Sequence, residues 1–253
     1  MKDEVKVREL NEEWLRISNL SEDSMNSAYI AHFDILGYHE LMKERRPIEI
    51  CKLIEKVRIL PKLHYYEQSP KDEYTNLSVS YPSSEKRDYE IKSIAFSDNI
   101  LLSTLNNWRL LLLVMIDIQS ALIKEGIFIR GAMVYDKIYH SETLVGGEGL
   151  IKAHHLESKV AVYPRIIVDK SYIDEANAAS KFSHSASPVM DFLKLDFDGN
   201  YFLDYLKMIK PENKAIHKDE VNKAIEKYAA NDRYKPEVLA KYEWCKTYHD
   251  NSV

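Results

Sequence analysis

Blocks of apolar residues separated by polar stretches predict alternating strands and helices in the first part of the chain. The block at 28–33 predicts a buried strand that ends at Asp34, and Gly37 predicts the turn that follows. Pro47 suits the first turn of a helix, because apolar residues recur after it at helical spacing, at Ile50, Cys51, Ile54, Val57 and Leu60. Residues 66–88 are polar and contain two prolines, which predicts an exposed loop.

The middle of the chain predicts a hairpin followed by a buried helix. Two short runs at 89–96 and 99–103 flank Asp98, which places an aspartate at the tip of the hairpin. Residues 107–125 are apolar almost all round and end before Gly126, a pattern typical of a buried helix with a glycine cap. The next elements predicted are a strand, a helix and a strand, at 127–134, 150–158 and 165–168.

The order of these elements predicts an α/β sandwich whose helices pack on one face of a sheet. The core of this fold is expected at 27–170. Residues 171–253 predict an extension packed on that core, with a strand near 192–197 and helices near 219–229 and 236–248. Residues 1–26 form a charged extension, and its apolar residues are expected to pack on the core: Leu10, Trp14, Leu15 and Ile17.

Composition and charge narrow the class of protein. Of the 253 residues, 45% are hydrophobic and 30% are charged, which is typical of a soluble globular protein. A net charge of −5 argues against a dedicated nucleic-acid surface, and two cysteines, Cys51 and Cys245, exclude a disulfide framework. We identify no leader peptide and no apolar run long enough to span a bilayer. We therefore expect a cytoplasmic protein that binds neither membrane nor nucleic acid.

Glycine is scarce, with seven residues in the chain. Neither G-x-G-x-x-G nor G-x-x-x-x-G-K-[ST] occurs, so the usual signals of a dinucleotide-binding fold and of a P-loop NTPase are absent. A site that binds phosphate in this chain must therefore use cations and carboxylates more than glycine-rich loops.

Asp34 and Asp98 are the candidate centre of the chemistry, because each follows an apolar strand where the chain reverses. If the two strands are neighbours, the carboxylates meet at one end of the sheet, and the carbonyl of Ile35 adds a third oxygen. Two divalent cations about 4 Å apart in such a site catalyse phosphoryl displacement. The alternative is that each aspartate is a turn former or a helix N-cap.

Three segments resemble class III nucleotidyl cyclases. Residues 33–38 and the hairpin that carries Asp98 look like the two metal-binding motifs of that family. The segment 147–157 is similar to its late helix, with matches at Gly147, Leu150, Ala153, Leu156 and Glu157. The resemblance implies a cyclase catalytic core at 27–170, built on a central, mostly antiparallel sheet with helices packed on it.

The same resemblance implies a set of site residues. Two Mn²⁺ or Mg²⁺ ions would be held by Asp34, Ile35 and Asp98. Nucleotide contacts would come from Phe33, Leu36, Gly37, Tyr38, Ile94 and Arg165. Because family members combine metal and base sites from opposite protomers, a homodimer with two composite active sites is implied.

Further motifs look like the pyrimidine cyclases of bacterial Pycsar antiphage systems: Phe96-Ser97-Asp98, Ile129-Arg130-Gly131-Ala132, Lys152-Ala153, Leu156-Glu157 and Tyr163-Pro164-Arg165-Ile166. This likeness implies conversion of UTP to cyclic UMP and diphosphate, with CTP and cyclic CMP as the alternative. The cyclic product would act on a separate effector in antiphage defence.

Four positions depart from the wider family. Ile94 and Leu144 stand where purine cyclases place polar groups that read the base, which argues against purine readout. Ile151 and His155 replace the usual asparagine and arginine of the transition state. The remaining alternatives are a purine cyclase, another two-metal nucleotidyl transferase, or a cyclase-like nucleotide sensor without turnover.

Arg130 and Lys152 are the candidate catalytic cations in place of that pair, with Arg165 as a further candidate near the phosphates. The alternative for each is a surface salt bridge. His154 and His155 are interpreted as a solvated helix face, because adjacent residues on a helix do not face one another.

Overall fold

A computed structural model of the chain describes residues 17–65, 90–180, 188–230 and 236–252, together with residues 8, 10–12, 14 and 15. The exposed loop predicted at 66–88 lies outside the described residues. None of the helices in the described ranges is long and apolar enough to cross a membrane.

The strands are β1 Asn26–Ile35, β2 Lys92–Phe96, β3 Asn99–Thr104, β4 Ile129–His140, β5 Val145–Gly146, β6 Ile166–Val168, β7 Leu193–Leu195 and β8 Tyr201–Leu203. They form a sheet in the order β2-β3-β1-β4-β6-β8-β7, with β5 paired to β4. The β4–β6 pair is parallel, and the other pairs are antiparallel. The predicted α/β class, with a mostly antiparallel central sheet, is confirmed.

The helices are α1 Tyr38–Glu44, α2 Pro47–Tyr65, α3 Trp108–Ile123, α4 Glu148–His155, α5 Lys170–Ser180, α6 Tyr205–Met208, α7 Pro211–Ala229 and α8 Pro236–Asp250. A π-helical turn, Leu156–Val160, continues directly from α4, and Glu22–Ser24 and Val189–Phe192 are short 3₁₀ turns.

The larger core lies between one face of the sheet and α2, α3, α5, α7 and α8. The helix predicted at 107–125 is confirmed as α3, and it is buried almost all round. Asn107 caps its first turn, since the side-chain oxygen accepts a hydrogen bond from the Leu110 N–H at 2.9 Å. This buried helix packs against one face of the sheet and stabilises the strands that carry the candidate site.

The opposite face of β1 and β4 is covered by α4 and the π-helical turn. Small or aliphatic side chains line this contact: Ala28, Ile30, Val134 and Ala153. The prediction that the helices pack on one sheet face is therefore wrong. Alternate residues of a strand point to opposite faces of the sheet. Because β1 carries apolar residues on both faces, helices cover it on both faces.

Several element boundaries differ from those predicted. β4 runs beyond 134 to His140, because its later residues still pair with β1, as in Asn26 opposite Ile138. α7 begins at Pro211, well before 219, and β7 covers only part of 192–197 because the chain turns between Asp196 and Asn200. The helices α1, α5 and α6 and the strands β5 and β8 were not predicted from the pattern.

The two ends of the chain behave differently. Side chains of α7 and α8 pack into the larger core: Val221, Tyr242, Cys245 and Tyr248. At the N-terminal end, the prediction of packing on the core is wrong, because its large apolar side chains are exposed: Leu10, Trp14, Leu15 and Ile17.

Candidate functional site

The sheet register brings Asp34 and Asp98 to the same end of neighbouring strands. Asp34 is paired with Asn99, the first residue of β3, and the Ile35 N–H donates a hydrogen bond to the Asp98 carbonyl at 3.2 Å. The predicted hairpin is confirmed: Phe96 pairs with Asn99, so Ser97 and Asp98 form a two-residue turn. The positive φ of Ser97, 59°, lets the chain reverse within those two residues.

Arg130 lies directly opposite Asp34 on β4, and their side chains form a two-point ion pair. Arg130 Nε donates to Asp34 Oδ1, and Nη2 donates to Oδ2, both at 3.1 Å. Burial lowers the pKa of Arg130, but the hydrogen bonds to Asp34 and the negative charges of Asp34, Glu157 and Asp98 together raise it above its usual value. Arg130 is therefore a fixed cation within the site.

Glu157, in the π-helical turn, also contacts this ion pair. Its side chain points into the protein and is only 2% exposed. Its Oε1 lies 3.0 Å from Arg130 Nη2. Burial, and then the negative charge of Asp34, raise the pKa of Glu157 to about 7, while Arg130 opposes the shift. Two carboxylates thus share one guanidinium.

The oxygens at this end of the sheet fit divalent cations of the Mg²⁺ or Mn²⁺ type, which prefer carboxylate and carbonyl ligands. Asp34 and Asp98 are the carboxylates at this end of the two strands, and the Ile35 carbonyl as a further ligand stays a prediction. Asn99 Nδ2 donates to Asp98 Oδ1 at 3.1 Å, which orients that carboxylate. Because Arg130 holds both oxygens of Asp34, a cation at Asp34 must compete with the guanidinium.

The predicted nucleotide contacts on and after β1 have different surroundings. Phe33 is buried in the larger core, and Leu36 and Tyr38 are partly buried against it. Gly37 adopts a left-handed φ of 70° just before α1. Leu36 and Gly37 line a cavity of about 220 Å³ whose wall includes charged residues of α1 and α7, Glu40, Glu44, Lys223 and Lys227. The nucleotide contacts themselves stay predictions.

The remaining predicted positions, Ile94, Lys152 and Arg165, have partners of their own. Ile94 on β2 is partly buried against the apolar cluster between α4 and the sheet, which contains Ala28, Ile30, Val134 and Ala153. Lys152 Nζ on α4 lies 2.6 Å from Asp169 Oδ1 and 3.1 Å from Ser171 Oγ, so this lysine is already paired. The catalytic role of Lys152 and the nucleotide contact of Ile94 stay predictions.

Arg165 is the most buried of the predicted cations, with a side chain 1% exposed. Its guanidinium is bonded to the carboxylates of Asp196 and Asp198, and it lies over the rings of Tyr163 and Trp244. Asp196 also accepts a hydrogen bond from Trp244 Nε1 at 3.0 Å. Arg165 therefore links the core to the C-terminal extension, and its contact with nucleotide stays a prediction.

Three residues near the ion pair were missed as site residues. His32 and Asp34 share a face of β1, and the ring of His154 stands edge-on to that of His32, with centroids 5.5 Å apart. Burial, and then the neighbouring His154, lower the pKa of His32 to about 4. Burial and then the charge of Arg130 lower the pKa of Lys241, so α8 brings a lysine close to the pair.

His154 and His155 are both exposed, as interpreted, but the ring of His154 also contacts that of His32. The alternation of β1 was the available signal for His32, because it places that residue on the face of Asp34. Nothing local in the sequence indicates Lys241.

No family model matches the chain, and no curated protein is significantly similar to it in sequence. Among solved structures, it aligns with the catalytic core of a rhodopsin-guanylyl cyclase with converted specificity in complex with ATPαS. The identity is 13% and the TM-score 0.42, over 71% of this chain and 95% of that chain.

Two structures of bacterial light-regulated adenylyl cyclases align at 11% and 12% identity, with TM-scores of 0.40 and 0.38. Each alignment covers 89% of this chain and 57% of the other, so the chain spans little more than half the length of those cyclases. A function for this chain therefore has to be argued from its own residues.

Proposed function

We propose that the chain is a nucleotidyl cyclase whose catalytic centre is formed by Asp34 and Asp98. The observation that carries this proposal is the meeting of the two aspartates at one end of β1 and β3, although they are far apart in sequence. Turn formers or helix caps would have no need to converge. The motifs around both residues, which resemble those of class III cyclases, support the same assignment.

In the proposed reaction, the ribose 3′-hydroxyl of a nucleoside triphosphate gives up its proton to solvent water, and its oxygen attacks the α-phosphorus. A bond from the 3′-oxygen to the α-phosphorus forms, the bond from the α-phosphorus to the oxygen that bridges it to the β-phosphate breaks, and diphosphate leaves. Two divalent cations held by Asp34, Asp98 and the Ile35 carbonyl would supply positive charge at the attacking and leaving oxygens. Arg130 adds a fixed guanidinium beside them, which suits the charge that develops on phosphate oxygens.

The proposed substrate is a pyrimidine nucleotide, with UTP first and CTP second. Ile94 is packed against apolar neighbours, and Leu144 is an exposed aliphatic residue, so neither position offers a hydrogen bond to a base edge. A site that forms hydrogen bonds with a base edge discriminates strongly against bases that cannot form them. Without polar groups at these two positions, the usual preference for a purine base is lost. The Pycsar-like motifs support a pyrimidine substrate and a cyclic product that activates a separate antiphage effector. UTP stands before CTP only on the substrate frequencies of that family.

The active form is proposed to be a homodimer with composite sites. Phe96, two residues before Asp98, is 84% exposed, and Ile151 on α4 is 70% exposed. Large apolar side chains exposed beside a candidate site are typical of surfaces that become covered. Sedimentation of the purified chain tests this part, with a monomer at assay concentration as the contradicting result.

A nucleotide sensor without turnover is the second candidate function. It is favoured by Lys152, which is paired with Asp169, and by Ile151 and His155 at the positions of the family's transition-state residues. A sensor would bind a nucleoside triphosphate and release it unchanged.

Incubation of the chain with ATP, GTP, CTP and UTP separately, with Mn²⁺ present, distinguishes these functions by mass spectrometry of the products. Cyclic UMP or cyclic CMP supports the proposal. Cyclic AMP or cyclic GMP alone assigns a purine cyclase, and nucleotide binding without any cyclic product assigns a sensor.

A further inference from the structure

His32, His154 and Glu157 form a cluster beside the ion pair that the proposed cyclase chemistry does not use. One ring nitrogen of each histidine and one carboxylate oxygen of Glu157 all lie within 4.8 Å of one another. We propose that these three side chains bind a transition-metal ion of the Zn²⁺ type, at a site distinct from the oxygen ligands of Asp34 and Asp98.

The spacing of the ligand atoms is close to that of a tetrahedral zinc site. Zinc–nitrogen and zinc–oxygen bonds of about 2.0 Å place neighbouring ligand atoms about 3.3 Å apart. His154 Nδ1 and Glu157 Oε2 are 3.4 Å apart. His32 requires the larger adjustment, and the 61% exposed side chain of His154 has the freedom to supply it by moving toward the sheet.

The fold holds two of the three ligands rigidly. His32 lies within β1, opposite Ala132 of β4, whose small side chain leaves room above the sheet. Glu157 lies one turn after His154, because α4 passes directly into the π-helical turn. Such turns are rare and are frequent at functional sites. Here the turn directs Glu157 toward the same face of the sheet as His32.

An independent feature of His32 points to a ligand. The residue is 95% buried, since only 5% of its surface is exposed, and its Nδ1 atom has no hydrogen-bond partner among the described residues. A buried polar atom without a partner is unfavourable, so most such atoms in proteins are satisfied. Coordination of a metal ion by the His32 ring would provide a partner for this side chain.

The chemistry of the ligands selects the metal. Imidazole nitrogen suits zinc, copper and nickel, whereas Mg²⁺ and Mn²⁺ prefer oxygen, so this site and the aspartate site should differ in preference. The second oxygen of Glu157 is held by Arg130 at 3.0 Å, which orients the ligating carboxylate. Three protein ligands beside an exposed histidine leave a fourth position open to water.

Zinc binding to the metal-free chain tests the site, measured by competition with a chromophoric chelator in millimolar Mg²⁺ to occupy the carboxylates. The wild-type chain is expected to bind one Zn²⁺ tightly, and Co²⁺ at the same site should give the visible absorption of a tetrahedral complex. H154A should weaken zinc binding at least tenfold and abolish the Co²⁺ spectrum. H155A, which changes the adjacent exposed histidine, should leave both unchanged.

Equal zinc affinity in H154A and the wild-type chain would overturn the proposal, as would the absence of a tight site in the wild-type chain. Because His154 is exposed, H154A should fold normally, and its circular dichroism spectrum and melting temperature check this. The readouts do not involve nucleotide turnover, so the site stands or fails independently of the cyclase proposal.

Discussion

Asp34 and Arg130 occupy directly opposed positions on β1 and β4, and the Arg130 guanidinium donates to both carboxylate oxygens of Asp34 at 3.1 Å. A proposed metal ligand is thus already bound by a cation that belongs to the chain. Any divalent ion at Asp34 has to displace part of this ion pair, so in the proposed reaction Arg130 would lower the affinity for metal and would also supply charge beside the phosphates.

Replacing Arg130 with glutamine should separate these two effects. Removing the competing cation should tighten Mn²⁺ binding about tenfold, the factor that corresponds to 1.4 kcal/mol. Turnover should fall about a hundredfold, because a preorganised cation at the phosphates is lost. Electron paramagnetic resonance of free Mn²⁺ and cyclase assays measure the two quantities. R58Q, which alters a partly exposed arginine paired with Glu55 on α2, is the control, and weaker Mn²⁺ binding in R130Q would contradict the account.

Gly131 allows β4 to lie close to β1 beside the site. A Cβ atom at this position would lie 2.4 Å from the His32 carbonyl oxygen and 2.6 Å from Phe33 Cβ. Gly131→Ala should therefore lower the free energy of unfolding by about 1–3 kcal/mol, as overpacking generally does. Urea denaturation checks this against Gly146→Ala, where a new Cβ would contact nothing within 4 Å. Equal stability of the two variants would count against the described register.

Arg165 provides a test between a structural and a nucleotide-binding role. Its guanidinium is buried between Asp196 and Asp198, so Arg165→Gln should leave two carboxylates without their cation. Loss of one partner of a buried ion pair typically costs about 3–5 kcal/mol of stability, which urea denaturation would detect. Unchanged stability with a raised KM for UTP would instead support the predicted nucleotide contact.

His217 should make the fold sensitive to acid. It is buried in α7, its Nε2 lies 2.7 Å from the Tyr205 hydroxyl oxygen, and its Nδ1 lies 3.2 Å from His249 Nδ1. Burial, and then the neighbouring His249, lower the pKa of His217 from 6.5 to about 3. Because the folded pKa is depressed, the unfolded chain takes up the proton first, and stability is lost as the pH falls from 6.5 toward 3.

The slope of the unfolding free energy between pH 6 and pH 4 measures this effect. One group of this kind contributes about 1.4 kcal/mol per pH unit, so His217→Gln should flatten the slope by that amount. His155→Gln is the matched control, since His155 is exposed on α4. An unchanged slope in H217Q would show that His217 is not held neutral in the fold.

Local patterns were sufficient for the elements that carry the two aspartates. The apolar run of β1, the hairpin with Asp98 at its tip and the buried helix α3 were each predicted from adjacent residues. The convergence of Asp34 and Asp98 was predicted only on the condition that β1 and β3 are neighbours, because the residues of a strand do not specify which strand lies beside it. The structure satisfies that condition.

The parts that were missed depend on contacts between distant segments. His154 turns toward His32 only because α4 packs on the second face of the sheet, and that packing was not predicted. Lys241 comes close to Arg130 through the packing of α8, about which the sequence near either residue says nothing. Arg165 was predicted either to contact the nucleotide or to form a surface salt bridge. Its partners, Asp196 and Asp198, were not predicted, because they belong to a turn of the C-terminal extension.

The most direct test of the central claim compares the wild-type chain with Asp98→Asn in the presence of Mn²⁺ and UTP or CTP. Asparagine keeps the shape of the side chain but removes the charge, and Asp174→Asn changes an exposed aspartate as the control. The account predicts a cyclic pyrimidine nucleotide and diphosphate from the wild-type chain and the control, with at least a hundredfold loss in D98N. Equal formation of cyclic product by D98N and the wild-type chain, or none by the wild-type chain, would contradict it.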